Sequence, residues 1–199
     1  GRIASGVGML FICNPNNPTG RTVDPVLMAE ILAACEKAGT LLVVDECFNG
    51  FLDRPETHSL KSRLPEHDSL LILDAFTKLY GMAGIRLGYC LSRNTKLLGR
   101  MKNAGQPWSV SSLAQAAGLA ALKEDAYVAR ARKLVGTERA YLQHALEMPG
   151  VKPLGGEANF IFLQSDIPGL SEKLRGRGIL IRDCGNYPGL AKGYYRIAV

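Results

Sequence analysis

Lys78 carries the strongest chemical signal in this chain. It follows an apolar run, Leu70-Leu71-Ile72-Leu73, and precedes a glycine-spaced turn, Gly81-Met82-Ala83-Gly84. A primary amine at the end of a covered strand is well set to attack a carbonyl carbon. Two further segments bear on the same chemistry. Leu41-Leu42-Val43-Val44 runs straight into Asp45 and Glu46, and Asn14-Pro15-Asn16-Asn17-Pro18-Thr19-Gly20 is a loop stiffened by its prolines. Asp45 ends a strand too apolar to leave a carboxylate without a partner. Near the other end, Tyr194-Tyr195-Arg196-Ile197-Ala198-Val199 places an arginine inside an apolar strand, where a guanidinium also needs a partner.

The elements that must position these groups are legible in outline. Met9 to Cys13, Leu41 to Asp45, Leu70 to Leu73 and Leu87 to Leu91 are short apolar runs bounded by turn residues, so each reads as a strand. Because the runs are continuous rather than alternating, they predict strands covered on both faces, as in an α/β sheet that is mainly parallel. Asp24 is a good N-cap, Pro25 fits the first helical position, and Gly39 stands just past the end. That helix is expected to bury Leu27, Ile31, Ala34, Cys35 and Ala38. In open α/β sheets ligands gather beyond the carboxyl ends of the strands, which is where the Asn17 loop, Asp45 and Lys78 fall.

Further along, helical patterns run from Lys96 to Lys102, from Ser109 or Ser111 to Lys123, and from about Asp125 to Glu147, where Gly136 leaves room for a kink or break. Pro149-Gly150 then punctuates the chain. Asn159 to Leu163 reads as a strand, Gly169 to Gly176 as a helix, and Ile179 to Ile181 and Tyr194 to Val199 as strands. The expected organisation is a large α/β unit over residues 1–122, a long connecting helix over 123–148, and a small α+β unit over 149–199.

Read together, these residues match the needs of pyridoxal phosphate, which takes a lysine for its aldehyde, an anion for its ring nitrogen, donors for its ring hydroxyl, and donors or cations for its phosphate. Lys78 is the candidate Schiff-base lysine and, as a free amine, a proton carrier at the substrate carbon. Asp45 is the candidate partner of the ring nitrogen, with a loop cap as the alternative. Asn17 can donate to the ring oxygen, and Thr77 and Arg86 can hold the phosphate. Arg196 is the candidate grip for a substrate α-carboxylate, with an internal ion pair as the alternative. Asn159, Asn186 and Tyr187 are candidate substrate contacts. Tyr187, like Trp108, has simple packing as its alternative.

Composition excludes several other classes. The 199 residues carry a formal charge of +6, but Lys and Arg are scattered among acids with no basic run interleaved with aromatics, which argues against nucleic acid. The positive balance suits anionic small molecules instead. No apolar run is long enough to span a bilayer. Five cysteines lie far apart without a C-x-x-C pair and read as reduced cytoplasmic thiols. Three histidines show no metal-ligand spacing, so no metal site is expected. No glycine-rich nucleotide fingerprint opens a helix after a strand.

In order and spacing, Asn17-Pro18-Thr19-Gly20, Asp45-Glu46, Thr77-Lys78, Arg86 eight positions after Lys78, and Arg196 resemble the aspartate aminotransferase-like, class I/II pyridoxal phosphate enzymes of fold type I. The resemblance spans nearly the whole chain. Within the family, Cys13 to Gly20, Pro107-Trp108-Ser109-Val110, Phe48, and Ile179 to Leu190 running into Arg196 are most similar to the threonine-phosphate decarboxylase branch of cobalamin synthesis. The histidinol-phosphate aminotransferase branch comes next. Phe48 stands where aminotransferases of the group carry a tyrosine, and Ala75 where the family has a phosphate-binding serine or threonine. The resemblance implies a partial fold type I large domain plus a small α+β C-terminal domain, a homodimer, and an amino acid or amino-phosphate substrate. It also implies that the family's phosphate loop and ring-stacking aromatic lie upstream of Gly1. An inactive or dimerising fragment is the reading from another class.

Overall fold

A computed structural model describes residues 6–199, so the first five residues of the expected large unit lie outside it. Three of the apolar runs align in parallel as β1 (Met9–Cys13), β2 (Leu41–Asp45) and β3 (Leu70–Ala75). The fourth, β4 (Gly88–Leu91), pairs antiparallel with β3, giving the sheet order β1-β2-β3-β4. The sheet is therefore mainly parallel, as the continuous apolar runs predict. The carboxyl ends of β1, β2 and β3 lie side by side, and Cys13 pairs in register with Asp45.

Helix α1 (Pro25–Ala38) starts and stops where its capping residues predict. Asp24 Oδ1 accepts from the amides of Val26 and Leu27, and Gly39 ends the helix in the left-handed region at φ 66°. Its buried stripe is Met28, Leu32 and Cys35; Cys35 is buried and Ile31 packs partly buried against the core as expected, whereas Leu27 and Ala34 are exposed and Met28 and Leu32 take the central places. That stripe packs on Leu42, Val44, Leu70 and Ile72 to make the core of the sheet's first face. Each such side chain taken fully out of water contributes roughly 1.5–3 kcal/mol. Coverage of the second face is incomplete. Met9 and Phe11 are exposed on β1, because β1 is an edge strand and no described segment covers that side.

A one-turn helix α2 (Pro55–His58) follows β2, and β4 leads into α3 (Thr95–Ala104) and α4 (Ser112–Ala121). The long helix α5 (Asp125–Ala145) runs unbroken through Gly136, so the break that this glycine allows is not used. One glycine among twenty helical neighbours costs too little to interrupt it. None of the helices among the described residues is long and apolar enough to cross a membrane.

The C-terminal region forms a second sheet, in the order β5-β6-β8-β7, from β5 (Val151–Pro153), β6 (Phe160–Ser165), β7 (Arg182–Asp183) and β8 (Tyr194–Ala198), with α6 (Leu170–Arg175) between β6 and β7. All its pairings are antiparallel. Ile179 to Ile181 is not a strand. Ile179 and Leu180 are exposed, Leu180 by 78%, Ile181 is only partly buried, and the ladder begins only at Arg182. Ile179, Leu180 and Ile181 in a row satisfy the apolar pattern of a strand without any sheet position to fill.

Candidate functional site

The two sheets meet through a short polar joint. Arg139 of α5, only 9% exposed, donates through Nη1 to the carbonyls of Glu157 (2.8 Å) and Ala158 (3.1 Å) just ahead of β6. From the other side the Glu157 amide donates to Gly20 O at 2.8 Å, and Thr22 Oγ1 donates to Glu157 Oε1 at 3.0 Å. The loop that follows β1 is thereby held against the start of β6. A cavity of about 350 Å³ opens beside this joint, lined by Asn17, Phe48, Lys78, Asn159, Phe160, Leu180, Arg182, Arg196 and Ala198.

Four sequence-predicted residues, Asn17, Lys78, Asn159 and Arg196, converge on that cavity. Its apolar wall is an aromatic pair, Phe48 and Phe160, whose rings meet edge to face at 5.2 Å. Each ring carries a cation on its face: Lys78 Nζ lies 5.5 Å from the centre of Phe48, and Arg196 Cζ lies 5.2 Å from that of Phe160. Arg196 Nη1 also donates to Asn17 Oδ1 at 2.5 Å. Arg196 therefore has a neutral amide and a ring as partners, not the carboxylate that an internal ion pair requires. Among the described residues, no acid pairs with Lys78 or Arg196.

Arg182 was missed from sequence. It sits directly opposite Arg196 in the β7–β8 ladder, and like charges so placed repel. No carboxylate lines the cavity to offset them. The sequence signal for it was two arginines on neighbouring short strands, readable only once the strand register is known. Phe160, Leu180 and the buried Arg139 were also unassigned. Asn186 and Tyr187 lie outside the lining and act on Arg182 instead. Asn186 Oδ1 accepts from Arg182 Nη2 at 3.0 Å, and the Tyr187 ring lies 5.6 Å from the guanidinium carbon.

Asp45, Thr77 and Arg86 also fall outside the lining of this cavity. Asp45 Oδ1 accepts from the Cys47 amide at 3.0 Å, so the loop-cap reading is realised, while no cation among the described residues pairs with its carboxylate. Burial, and next the hydrogen bond to Asp45, push the Cys47 thiol up to about 12; burial and then Asp45 raise the thiol of Cys13. Arg86 is exposed and donates to Ala83 O at 3.0 Å. Next to Asp45, the buried Glu46 takes hydrogen bonds from Ser59 Oγ (2.7 Å) and the Leu60 amide (2.8 Å). Burial nonetheless raises its carboxyl above the ordinary range.

The donor set fits pyridoxal phosphate. Lys78 offers an amine free of any ion pair, and Asp45 a carboxylate free of any cation at the neighbouring strand end. Asn17 spends its oxygen on Arg196, which leaves its Nδ2 as a donor. Asn159 Oδ1, buried and without a hydrogen-bond partner, adds an acceptor among the residues that line the cavity.

Comparison with known proteins agrees with this chemistry. A family model described as aminotransferase class I and II matches residues 2–199. The chain is 38% identical to a histidinol-phosphate aminotransferase of Symbiobacterium thermophilum, over 92% of this chain and 50% of that protein. It is 35% identical to a threonine-phosphate decarboxylase of Salmonella typhimurium, over 96% of this chain and 52% of that protein. Its fold superposes on the crystal structure of a histidinol-phosphate aminotransferase from Clostridium acetobutylicum with a TM-score of 0.87, at 26% identity, covering 96% of this chain and 58% of that one. The chain thus spans about half the length of these relatives.

Proposed function

Because the chain belongs to the class I and II aminotransferase family, whose members depend on pyridoxal phosphate, we propose that the full-length protein acts on a small amino acid bearing a second anionic group. The reading we favour is decarboxylation of threonine phosphate. One observation carries it: Arg182 and Arg196 face one another across β7 and β8 in a cavity without a carboxylate. A substrate with a carboxylate and a phosphate relieves that repulsion at both guanidinium groups at once. Histidinol phosphate has a phosphate and no carboxylate, so it brings one anionic group where threonine phosphate brings two; in that reaction only the dicarboxylate partner, 2-oxoglutarate, meets both guanidinium groups. The 38% identical relative favours transamination of that substrate as the second reading.

In this proposal Lys78, Asp45, Asn17, Thr77 and Arg86 hold the cofactor. When bound, pyridoxal phosphate supplies an aldehyde for an amine and a ring that draws electrons from the adjoining carbon. Lys78 Nζ holds and moves the proton at the substrate carbon. Arg196 would grip the α-carboxylate through its planar fork and so would fix the orientation of the substrate carbon relative to Lys78. Phe48 and Phe160 exclude water on one side. Phe48 brings no hydroxyl to the ring oxygen, which leaves Asn17 as the donor there.

Incubating the full-length protein with threonine phosphate, and separately with histidinol phosphate plus 2-oxoglutarate, tests the reading. Release of carbon dioxide from the first supports it; amino transfer alone rejects it in favour of the second. The homodimer typical of the family is part of the same proposal, and light scattering on the full-length protein checks it.

A further inference from the structure

Asn17 and Arg196 are 179 positions apart, yet one hydrogen bond joins them, so some contact must set the spacing between the β1 loop and β8. Two glycines meet where the two sheets join. Gly20 has φ +67° and Gly156 has φ +126°, both in the region that favours glycine. A Cβ on Gly20 would stand 2.9 Å from Gly156 Cα and 3.3 Å from the Phe160 ring. A Cβ on Gly156 would stand 3.1 Å from Thr19 O and 3.4 Å from Gly20 Cα. These neighbours are mostly backbone, with no rotamer to turn aside. The contact is bolted by Glu157 N to Gly20 O and Thr22 Oγ1 to Glu157, and backed by Arg139.

We propose that Gly20 and Gly156 are a positioning pair that registers the Asn17 loop against the Arg196 strand, and so sets where a bound carboxylate lies relative to Lys78. This rests on the substrate reading above. Asn17 is three residues before Gly20, and Asn159 and Phe160 follow Gly156 closely, so a methyl group forced into the joint is passed directly to the cavity wall. The hydrogen bond between Arg196 and Asn17 joins the two segments across the cavity, so displacing either one changes its length and angle.

Gly155 supplies the control. It also has positive φ, +86°, but a Cβ there meets nothing within 4 Å. G155A therefore imposes backbone strain without touching the joint, whereas G156A imposes strain and the contact. In the full-length protein, crystal structures of both variants would give the distance from Asn17 Oδ1 to Arg196 Nη1, and kinetics would give KM and kcat for the carboxylate-bearing substrate. G156A is expected to change the spacing of the pair by a few tenths of an ångström and, by misplacing the bound carboxylate, to raise KM about threefold, with kcat changed less and the Lys78-dependent visible absorbance retained. G155A keeps the wild-type spacing and KM. If G156A fails to fold, T22V loosens the same joint from its exposed side and moves KM in the same direction by less. Equal spacing and equal KM in G155A and G156A, or a wild-type KM in T22V, would overturn the proposal. Absence of any Lys78-dependent absorbance in wild type would instead sink the cofactor reading, with the crystallographic distance still deciding the joint.

Discussion

Replacing Arg196 by lysine keeps the charge and removes the fork. In the structure one guanidinium nitrogen is already engaged by Asn17 at 2.5 Å, and the Phe160 ring lies 5.2 Å from Cζ, so a substrate carboxylate must be met by the remaining edge. A lysine has one nitrogen on a flexible stem and must serve Asn17 and the carboxylate with the same atom. Losing one hydrogen bond to a charged group costs about 1.5–3 kcal/mol, which is roughly a tenfold to 150-fold loss of affinity. Arg196 is only half-buried, so the lower end of that range applies. The assay pairs three ligands of the full-length protein: threonine phosphate, threonine, and phosphoethanolamine, which lacks the carboxylate. R196K should weaken the first two about tenfold and leave phosphoethanolamine near wild type. R182K should do the opposite, weakening both phosphates and sparing threonine. If R196K weakens phosphoethanolamine as much as threonine, Arg196 is not the carboxylate grip, and the division of labour between the two arginines is wrong.

Two further outcomes follow from groups around Asp45. Burial raises the Glu46 carboxyl above its ordinary value of 4.5, so the folded state keeps this proton to higher pH than the unfolded chain. The contribution of Glu46 to stability is therefore greatest in acid and declines as pH climbs from the ordinary value through the raised one. Urea midpoints of wild type and E46Q, measured from about pH 4 to pH 7, should show wild type losing ground to the variant as pH rises; parallel curves would contradict the assignment. Cys47, pushed up to about 12, should resist iodoacetamide in the native protein at about pH 8 and react once urea exposes it. Rapid native alkylation at Cys47, located by peptide mass spectrometry, would show that its thiol is not shielded as the structure has it.

Much of the scaffold was legible because local signals and tertiary demands agree there. Asp24, Pro25 and Gly39 bracket α1 as their chemistry requires, and the runs at β2 and β3 are apolar because both faces are covered. Disagreements arise where the neighbour decides. On α1 the expected face holds at Cys35 and Ile31 but not at Leu27, because Met28 and Leu27 are similarly apolar and only contact with Leu42 and Ile72 chooses between them. The same ambiguity made a strand of Ile179 to Ile181, of which Ile179 and Leu180 are instead exposed beside the cavity rim.

The candidate site divides along the same line. Lys78, Asn17 and Arg196 announce themselves because each residue type conflicts with its setting: an amine after a covered strand, an amide between prolines, a guanidinium in an apolar run. Arg182 offers no such conflict. Its segment is exposed, and its importance comes only from lying opposite Arg196 in an antiparallel register set by the turns on either side. Arg139 is silent for the converse reason, since an arginine on a long polar helix reads as a solvated face until its two carbonyl partners are seen. Sequence thus marks residues that are anomalous where they stand, whereas the charge pattern selecting a substrate emerges from pairs that are each unremarkable alone. The placement of Arg182 opposite Arg196 is such a pair property, so the ligand proposed for them rests on the strand register and not on either arginine by itself.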